Sequence, residues 1–324
     1  MKNYRGSPLL QGMLLLLIVI SCAAFLCPGC VKKQGAPPLV GIVLKDNTNP
    51  KFTEMEKGAR KGAQEERCDI LVLAPEKRDP EKQALLVNDL IDMKVNALCI
   101  APENAVNCIE AIAKATSRKI PVVLLDSGID IDEAKRLKAE VSGMIQGDDF
   151  HGGEMAGQYF VKKLGGKGMV AVMEGTPKSM TGKNKREGFL NALKGSPEIR
   201  VIYTRPGYYK RSTGFEVSLN LFRDYPELKG VFAFNDMMAI GISDSIVVSG
   251  REGSLIIVGY DATEEGRRAI KEGRIDASVF VNPFYMGRIA VKQAIMAHRG
   301  EKIPPLTLIK AEFILKDSML LPFE

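Results

Sequence analysis

From Leu39 onward, short apolar runs recur along the chain, and the stretches between them space their apolar positions as helices do. The first set of runs is LVGIVL (39–44), DILVL (69–73), ALCIA (97–101) and PVVLL (121–125). The second set is GMVAVM (168–173), IRVIYT (199–204), GVFAF (230–234), SLIIVGY (254–260) and ASVFV (277–281). Runs this short and continuously apolar read as strands covered on both faces. Between them, Phe52, Met55, Ala59 and Ala63 share one helical face, and Leu85, Leu86, Leu90 and Met93 share another. Alternating strands and helices predict an α/β fold with parallel sheets wrapped on both sides, here two doubly wound domains. The segment 129–147 lacks a strong period and is charged over 130–140, which places the passage between domains there. Length agrees, since 324 residues make two domains at roughly 150 residues each.

The first thirty residues follow another pattern. Lys2 and Arg5 precede an apolar run over 13–20, and no acidic residue occurs before Asp46. That is the charge and hydropathy order of a secretory signal, with a core too short to span a bilayer comfortably. Val19-Ile20-Ser21-Cys22 resembles the lipobox of bacterial lipoproteins, which implies a signal peptide over 1–21 and lipidation of Cys22. Cys30 is the alternative; it precedes the polar, Pro-rich tether 31–38, but Pro28 beside its cleavage point counts against it. The expected location is periplasmic or at the cell surface, anchored to the membrane through 22–38. Cys27-Pro28-Gly29-Cys30 has the spacing of a redox pair but lies in this leader, not at a strand-to-helix junction. Cys68, Cys99 and Cys108 are odd in number and read as small buried hydrophobes.

Composition removes several function classes. The formal charge is +6, and without Lys2 and Arg5 it is 6 − 2 = +4, too little over this length for a nucleic-acid footprint. Two histidines, His151 and His298, leave little material for a histidine metal site or a proton relay. No metal and no cofactor is expected. An enzyme would need a nucleophile with its base, or carboxylates in opposed environments, and the sequence offers neither. Gly165-Gly166-Lys167-Gly168 lacks the upstream glycine and the Ser/Thr of a phosphate loop and reads as a helix stop. His151, before Gly152-Gly153, reads as structural or surface-exposed.

Doubly wound sheets bind ligands beyond the carboxyl ends of their strands. Lys45-Asp46-Asn47-Thr48-Asn49-Pro50-Lys51-Phe52 follows the first run, Asp126-Ser127 the fourth, Asn235-Asp236 the seventh and Asp261 the eighth. Carboxylates accept hydroxyl protons and amides both donate and accept, a mix that suits an uncharged polyhydroxylated ligand. Four to six charge-assisted bonds at roughly 1.5–3 kcal/mol each support binding near −8 kcal/mol after entropic costs. Tyr208, Tyr209 and Phe234 offer flat faces for a sugar ring. The competing reading of such positions is helix capping, assigned here to Asp236 and Asn104.

The runs 230–241 (GVFAFNDMMAIG), 258–261 (VGYD) and 121–126 (PVVLLD), with Asn49-Pro50 and Phe52, resemble the periplasmic sugar-binding proteins of ABC transporters in the ribose and galactose group. The similarity extends over 39–316. It implies a type I periplasmic binding protein: two domains joined by a three-crossing hinge, residues 39–147 plus 282–310 and residues 148–281 plus 311–324, closing on a ligand between them. A membrane permease is the implied partner, and a monomer the expected state. By position the resemblance makes Asn49, Phe52, Asp126, Asn235 and Asp261 ligand contacts, with Lys183 where ribose binders carry an arginine and Tyr209 on an aromatic position.

Departures from that pattern bear on the ligand. Lys51 replaces a second aromatic, Ser127 an arginine, and Val281, beside Asn282, a glutamine. Lys45 and Lys51 either donate to a modified, larger or partly anionic sugar or are solvated loop residues. The expectation is a sugar or sugar-like polyol; a nucleoside or an autoinducer-type furanose is the alternative ligand. A lipoprotein reporting to a chemoreceptor or histidine kinase is the alternative output. A sugar-responsive repressor shares this fold, but its helix-turn-helix domain would stand where the signal sequence is.

Overall fold

In the computed structural model residues 36–251 and 255–320 are described. The lipidation and redox-pair readings at Cys22, Cys27 and Cys30 fall outside them.

Parallel strands buried on both faces build the first lobe: β1 (Leu39–Val43), β2 (Asp69–Leu73), β3 (Ala97–Ile100), β4 (Val122–Leu125) and β5 (Gly143–Gly147). They alternate with α1 (Pro50–Glu66), α2 (Pro80–Asp92), α3 (Ile109–Ser117) and α4 (Ile131–Leu137). The chain then crosses to the second lobe, which runs α5 (Asp149–Leu164), β6 (Lys167–Met173), α6 (Met180–Leu193), β7 (Glu198–Tyr203) and α7 (Arg211–Asp224). It continues through β8 (Leu228–Ala233), α8 (Asp236–Ser249), β9 (Ile256–Tyr260), α9 (Glu264–Glu272) and β10 (Ala277–Val281). A return crossing gives α10 (Pro283–His298) and β11 (Leu306–Ile309) to lobe one, and a third gives β12 (Ala311–Leu315) to lobe two.

The sheet orders are β11-β5-β4-β3-β1-β2 and β12-β10-β9-β8-β6-β7, doubly wound and parallel except for β12, which runs antiparallel to β10. This is the type I periplasmic binding protein fold. Each lobe therefore turns the carboxyl ends of its strands in one direction, and the crossings after Gly147, Val281 and Ile309 join the lobes.

Three expectations need correction. The crossing is not spread over 129–147, which holds α4 and β5, but falls at its end, after Gly147. β5 reads GMIQG, so its glycines and glutamine carry no strand signal, and burial at Gly143, Ile145 and Gly147 comes from neighbouring strands. The inner face of α2 is Gln83, Val87, Leu90 and Ile91, whereas Leu85 and Met93 are exposed. Asp236 is not a cap: Asn235 is the N-cap of α8 and accepts from Met238 N, while Asp236 begins the helix. Elsewhere, Asn104 does receive the N–H groups of Val106 and Asn107, and Gly165 ends α5 in the left-handed conformation.

Close helix packing aims the site. A Cβ on Gly58 of α1 would fall on the Phe284 carbonyl of α10, and one on Gly153 of α5 on the Lys185 carbonyl of α6. Bare backbone at these points lets each helix pair approach and fixes Phe52 and Lys185 at the sheet ends. The rings of Phe160, Phe189, Phe232 and Phe234 touch in succession, edge-to-face, stacked and edge-to-face, at centroid distances of 5.8, 5.2 and 5.1 Å, from the lobe-two core to the cleft.

Candidate functional site

The loop after β1 is shaped by its own polar groups. Asp46 Oδ1 accepts from Thr48 N, Thr48 Oγ1 and Asn49 N, and Asn49 then caps α1 by accepting from Lys51 N. This turn folds Lys45, Lys51 and Phe52 inward, all buried. Behind β4, Asp126 adopts φ 60°, which Asp tolerates better than most residues. Its oxygens are both occupied: Lys45 Nζ donates to Oδ2 at 2.6 Å and Lys51 Nζ to Oδ1 at 2.6 Å. Lys45 also donates to Ser127 Oγ at 2.5 Å.

Lobe two answers across the gap. Asp261, at φ 94° after β9, stands 3.7 Å from Lys51 Nζ. Phe234 and Asn235 follow β8, and Asn235 Nδ2 donates to Tyr209 O at 3.1 Å, holding the Tyr208-Tyr209 turn, where φ is 51° and 59°. Left-handed backbone at Asp126, Asp261 and Tyr209 is the kind of strain that gathers at ligand sites. Lys185 of α6 is buried, donates to Phe234 O at 3.2 Å and lies 3.5 Å from the Tyr260 ring centroid. Tyr260 in turn donates to Asp149 Oδ1 at 2.7 Å.

Burial alone would push the Asp126 carboxyl up, but Lys45 and Lys51 outweigh it and hold it well below the usual carboxylate range. Burial alone would likewise push the Lys51 ammonium down, and Asp126, then Asp261 and Asp149, hold it above the usual lysine range instead. Asp149 is pushed up by burial. Asp236, behind the site, accepts from Thr263 and Ser278; burial and then the Asp261 charge push its carboxyl up to about 7.

The sequence pattern brings Asn49, Phe52, Asp126, Tyr209 and Asp261 to one point, with Lys45 and Lys51 among them. Asn235 lies behind Tyr209, and Ser127 behind Lys45. Lys183 is elsewhere: its side chain is 55% exposed and 3.8 Å from Glu187. Two residues along a helix turn a side chain by about 200°, so the cleft receives Lys185 instead. Val281 is a core residue, and Asn282 caps α10 at the edge of an outer chamber. Tyr208 lines the opposite chamber, His151 is exposed beside Glu154, and Cys68, Cys99 and Cys108 are buried free thiols.

Arg78, which follows β2, was not among the sequence candidates. It forks onto Glu103 at 3.1 and 2.8 Å, pairs with Asp46 at 3.2 Å, and lays its guanidinium 4.3 Å from the Tyr209 centroid and 5.8 Å from that of Phe52. Glu103, two residues beyond the apolar run 97–101, accepts from Thr176 of lobe two at 3.3 Å. Applying the strand-end rule to every apolar run finds Glu103, but not Arg78, which lies five residues past β2 in a charged stretch.

The space enclosed by these groups is about 20 Å³, room for one water. Chambers of about 590 and 580 Å³ flank it, one behind Arg78 and Tyr209 and the other beside Lys51 and Asp261. Lys51 and Arg78 thus fill the ground between the aromatic faces and the two carboxylates, and a ring-sized guest enters only as the lobes part. Among the described residues no cluster of His, Cys, Asp and Glu is placed to hold a metal ion.

Two doubly wound lobes with charged strand ends converging on one cleft define a hinged binding protein. The chain matches the family described as periplasmic binding protein domain over residues 40–302, and belongs to it. It is similar to the D-allose-binding periplasmic protein of Escherichia coli K12, with 29% identity over 281 residues, 86% of this chain and 90% of that protein. It is also similar to the ribose import binding protein of Bacillus subtilis 168, with 27% identity over 297 residues, 88% and 93% of the two chains. Among solved structures, a periplasmic solute-binding protein of an ABC transporter from Actinobacillus succinogenes 130z, with bound D-allose, superposes at TM-score 0.82. That match has 26% identity and covers 86% of this chain and 98% of the other. The relatives are named as binding proteins, not as enzymes.

Proposed function

We propose that this chain is the extracytoplasmic solute-binding lipoprotein of an ABC importer, that it takes a sugar or sugar-like polyol between its lobes, and that Cys22 carries its lipid anchor. The observation that carries the reading is the meeting of Asp126 and Lys51 from one lobe with Asp261 from the other, inside a rim of Phe52, Tyr209 and Phe234. The names of its relatives, which include D-allose and ribose binders, support the sugar class.

On opening, Asp126 and Asp261 become acceptors for hydroxyl protons, and Lys45, Lys51 and Lys185 become donors to hydroxyl or ring oxygens. A sugar ring takes the space between Phe52 and Tyr209, displacing Arg78 from their faces. Asn49 and Asn235 fix the turns that present these groups. Closure then exchanges the protein's own ion pairs for bonds to the ligand, and the permease receives the closed form.

The test is a thermal-shift panel of pentoses, hexoses, polyols, furanosides and nucleosides. A ligand at 100 times its dissociation constant adds about 2.7 kcal/mol, which raises the midpoint by roughly 5–10 °C in a protein of this size. A panel in which no sugar or polyol moves the midpoint overturns the reading. With the hit in hand, Lys185→Ala is expected to weaken affinity by roughly 10- to 100-fold, through loss of one charged donor. Lys183→Ala should leave it unchanged; equal losses in the two variants would contradict the assignment of Lys185. Anchoring is read by fatty-acid labelling of the full chain, which Cys22→Ala should abolish.

A further inference from the structure

At a helix end before a strand, the turn commonly needs one residue in the left-handed conformation, and glycine is the favoured one. Lobe two follows this rule with Gly165 (φ 62°), Gly250 (71°) and Gly273 (74°). Lobe one breaks it at four successive turns. Arg67 (54°), Lys94 (60°), Lys119 (58°) and Lys138 (55°) precede β2, β3, β4 and β5 in turn. All four side chains are exposed, and none makes an ion pair among the described residues. A backbone preference cannot explain basic residues here, because glycine suits each turn better.

The four turns share one edge of the sheet. The first residues of the strands they feed lie in register, Leu39 with Asp69, Val40 with Ala97, Leu98 with Val122 and Val123 with Gly143. The chain enters lobe one at this same edge. Pro38 O accepts from Asp69 N, and Leu39 N donates to Asn96 Oδ1, so Pro38 and Leu39 lie between the Arg67 and Lys94 turns. Over the five turns 66–69, 92–96, 118–121, 138–142 and 299–305 there are seven basic residues against five acidic ones. Arg118 pairs with Asp92 and Arg299 with Glu66, whereas Arg67, Lys94, Lys119 and Lys138 are exposed and outside any ion pair among the described residues. Met93, 55% exposed, stands beside Lys94.

We propose that this edge of lobe one is a docking surface for anionic phospholipid headgroups. A chain tethered through its N-terminus keeps this edge close to the bilayer, where each basic side chain gains from the negative surface potential and Met93 can rest at the headgroup boundary. Because the cleft lies at the opposite ends of the same strands, docking turns its mouth toward arriving solute. The attraction is salt-screened and reversible, so the protein lifts off to engage its permease. The inference rests on the proposed anchoring for its setting, though the surface is tested without the anchor.

The compact unit from Pro38 onward, which holds both sheets and their cores, is mixed with vesicles of phosphatidylcholine alone or with phosphatidylglycerol, at low and at high salt. The unit should partition onto the phosphatidylglycerol vesicles only, and salt should release it. Replacing Arg67, Lys94, Lys119 and Lys138 together by glycine should lower that partition roughly a thousandfold and raise the thermal midpoint, since glycine fits the turns. Equal binding to both vesicle types, or binding that the glycine variant retains, overturns the proposal. A full-length wild-type chain that takes up no fatty acid, while the unit from Pro38 onward still binds the vesicles, would refute the anchor alone.

Discussion

Asp126→Ala is expected to weaken binding of the ligand found in the panel by a hundredfold to ten-thousandfold, read by isothermal titration. Each oxygen of Asp126 meets a different buried ammonium group, at 2.6 Å. Two charge-assisted bonds, each worth about 1.5–3 kcal/mol, set the size of the loss at about tenfold per 1.4 kcal/mol. Deleting the carboxylate removes the acceptor for the ligand and also leaves Lys45 without its counter-ion in a closed cleft, a further cost on closing. The backbone at φ 60° allows a control, because alanine fits that conformation worse than aspartate. Asp126→Gly relieves the backbone while removing the same carboxylate, so it should lose the same affinity with a smaller drop in thermal midpoint. An Asp126→Ala protein that binds within threefold of wild type would show that the carboxylate does not touch the ligand.

The two-lobed plan was legible because parallel strands buried on both faces write themselves as unbroken apolar runs; β3, ALCI, is buried at every position. Where a strand is held by its neighbours rather than by its own residues the signal fails, as in β5 with two glycines and a glutamine. β11, LTLI, sits at a sheet edge with Leu306 and Leu308 exposed and Thr307 and Ile309 turned inward, so the position of its leucines does not reveal its buried face. Within the site, Asp126 and Asp261 could be read because a lone acid after an apolar run is conspicuous. Arg78 could not, since it follows Glu76-Lys77 and looks like part of a solvated charge run. Only folding shows that Asp46 and Glu103 converge from two other strand ends to bury its guanidinium. Lys45 and Lys51 remained open between ligand contact and solvated loop, and burial against Asp126 decides against solvation. Lys183 and Lys185 are equally polar in sequence, and the choice between them depends on how α6 is rotated against α5 at Gly153.

Lys51→Ala is expected to open the unliganded protein. Lys51 belongs to lobe one, yet Asp261, its second partner, belongs to lobe two, which makes the ammonium an ionic tie across the cleft. Without it Asp126 keeps Lys45, but Asp261 has no cation within bridging distance among the described residues, and a buried carboxylate in that state is strongly disfavoured. Parting the lobes lets water reach Asp261 at far lower cost than unfolding either core, so the variant should open rather than melt. Loss of a charged contact of about 1.5–3 kcal/mol lowers the ratio of closed to open unliganded protein by roughly 10- to 100-fold. Small-angle scattering should therefore give Lys51→Ala a larger radius of gyration than wild type, and saturating ligand should return it to the closed value. Lys57→Ala is the control, because Lys57 is exposed and among the described residues its one ion pair is with Glu54 on its own helix. If scattering from unliganded Lys51→Ala superimposes on that of wild type, the Lys51–Asp261 contact does not hold the lobes together. The remaining contacts across the gap, Thr176 to Glu103 and Arg78 against Tyr209, would then suffice.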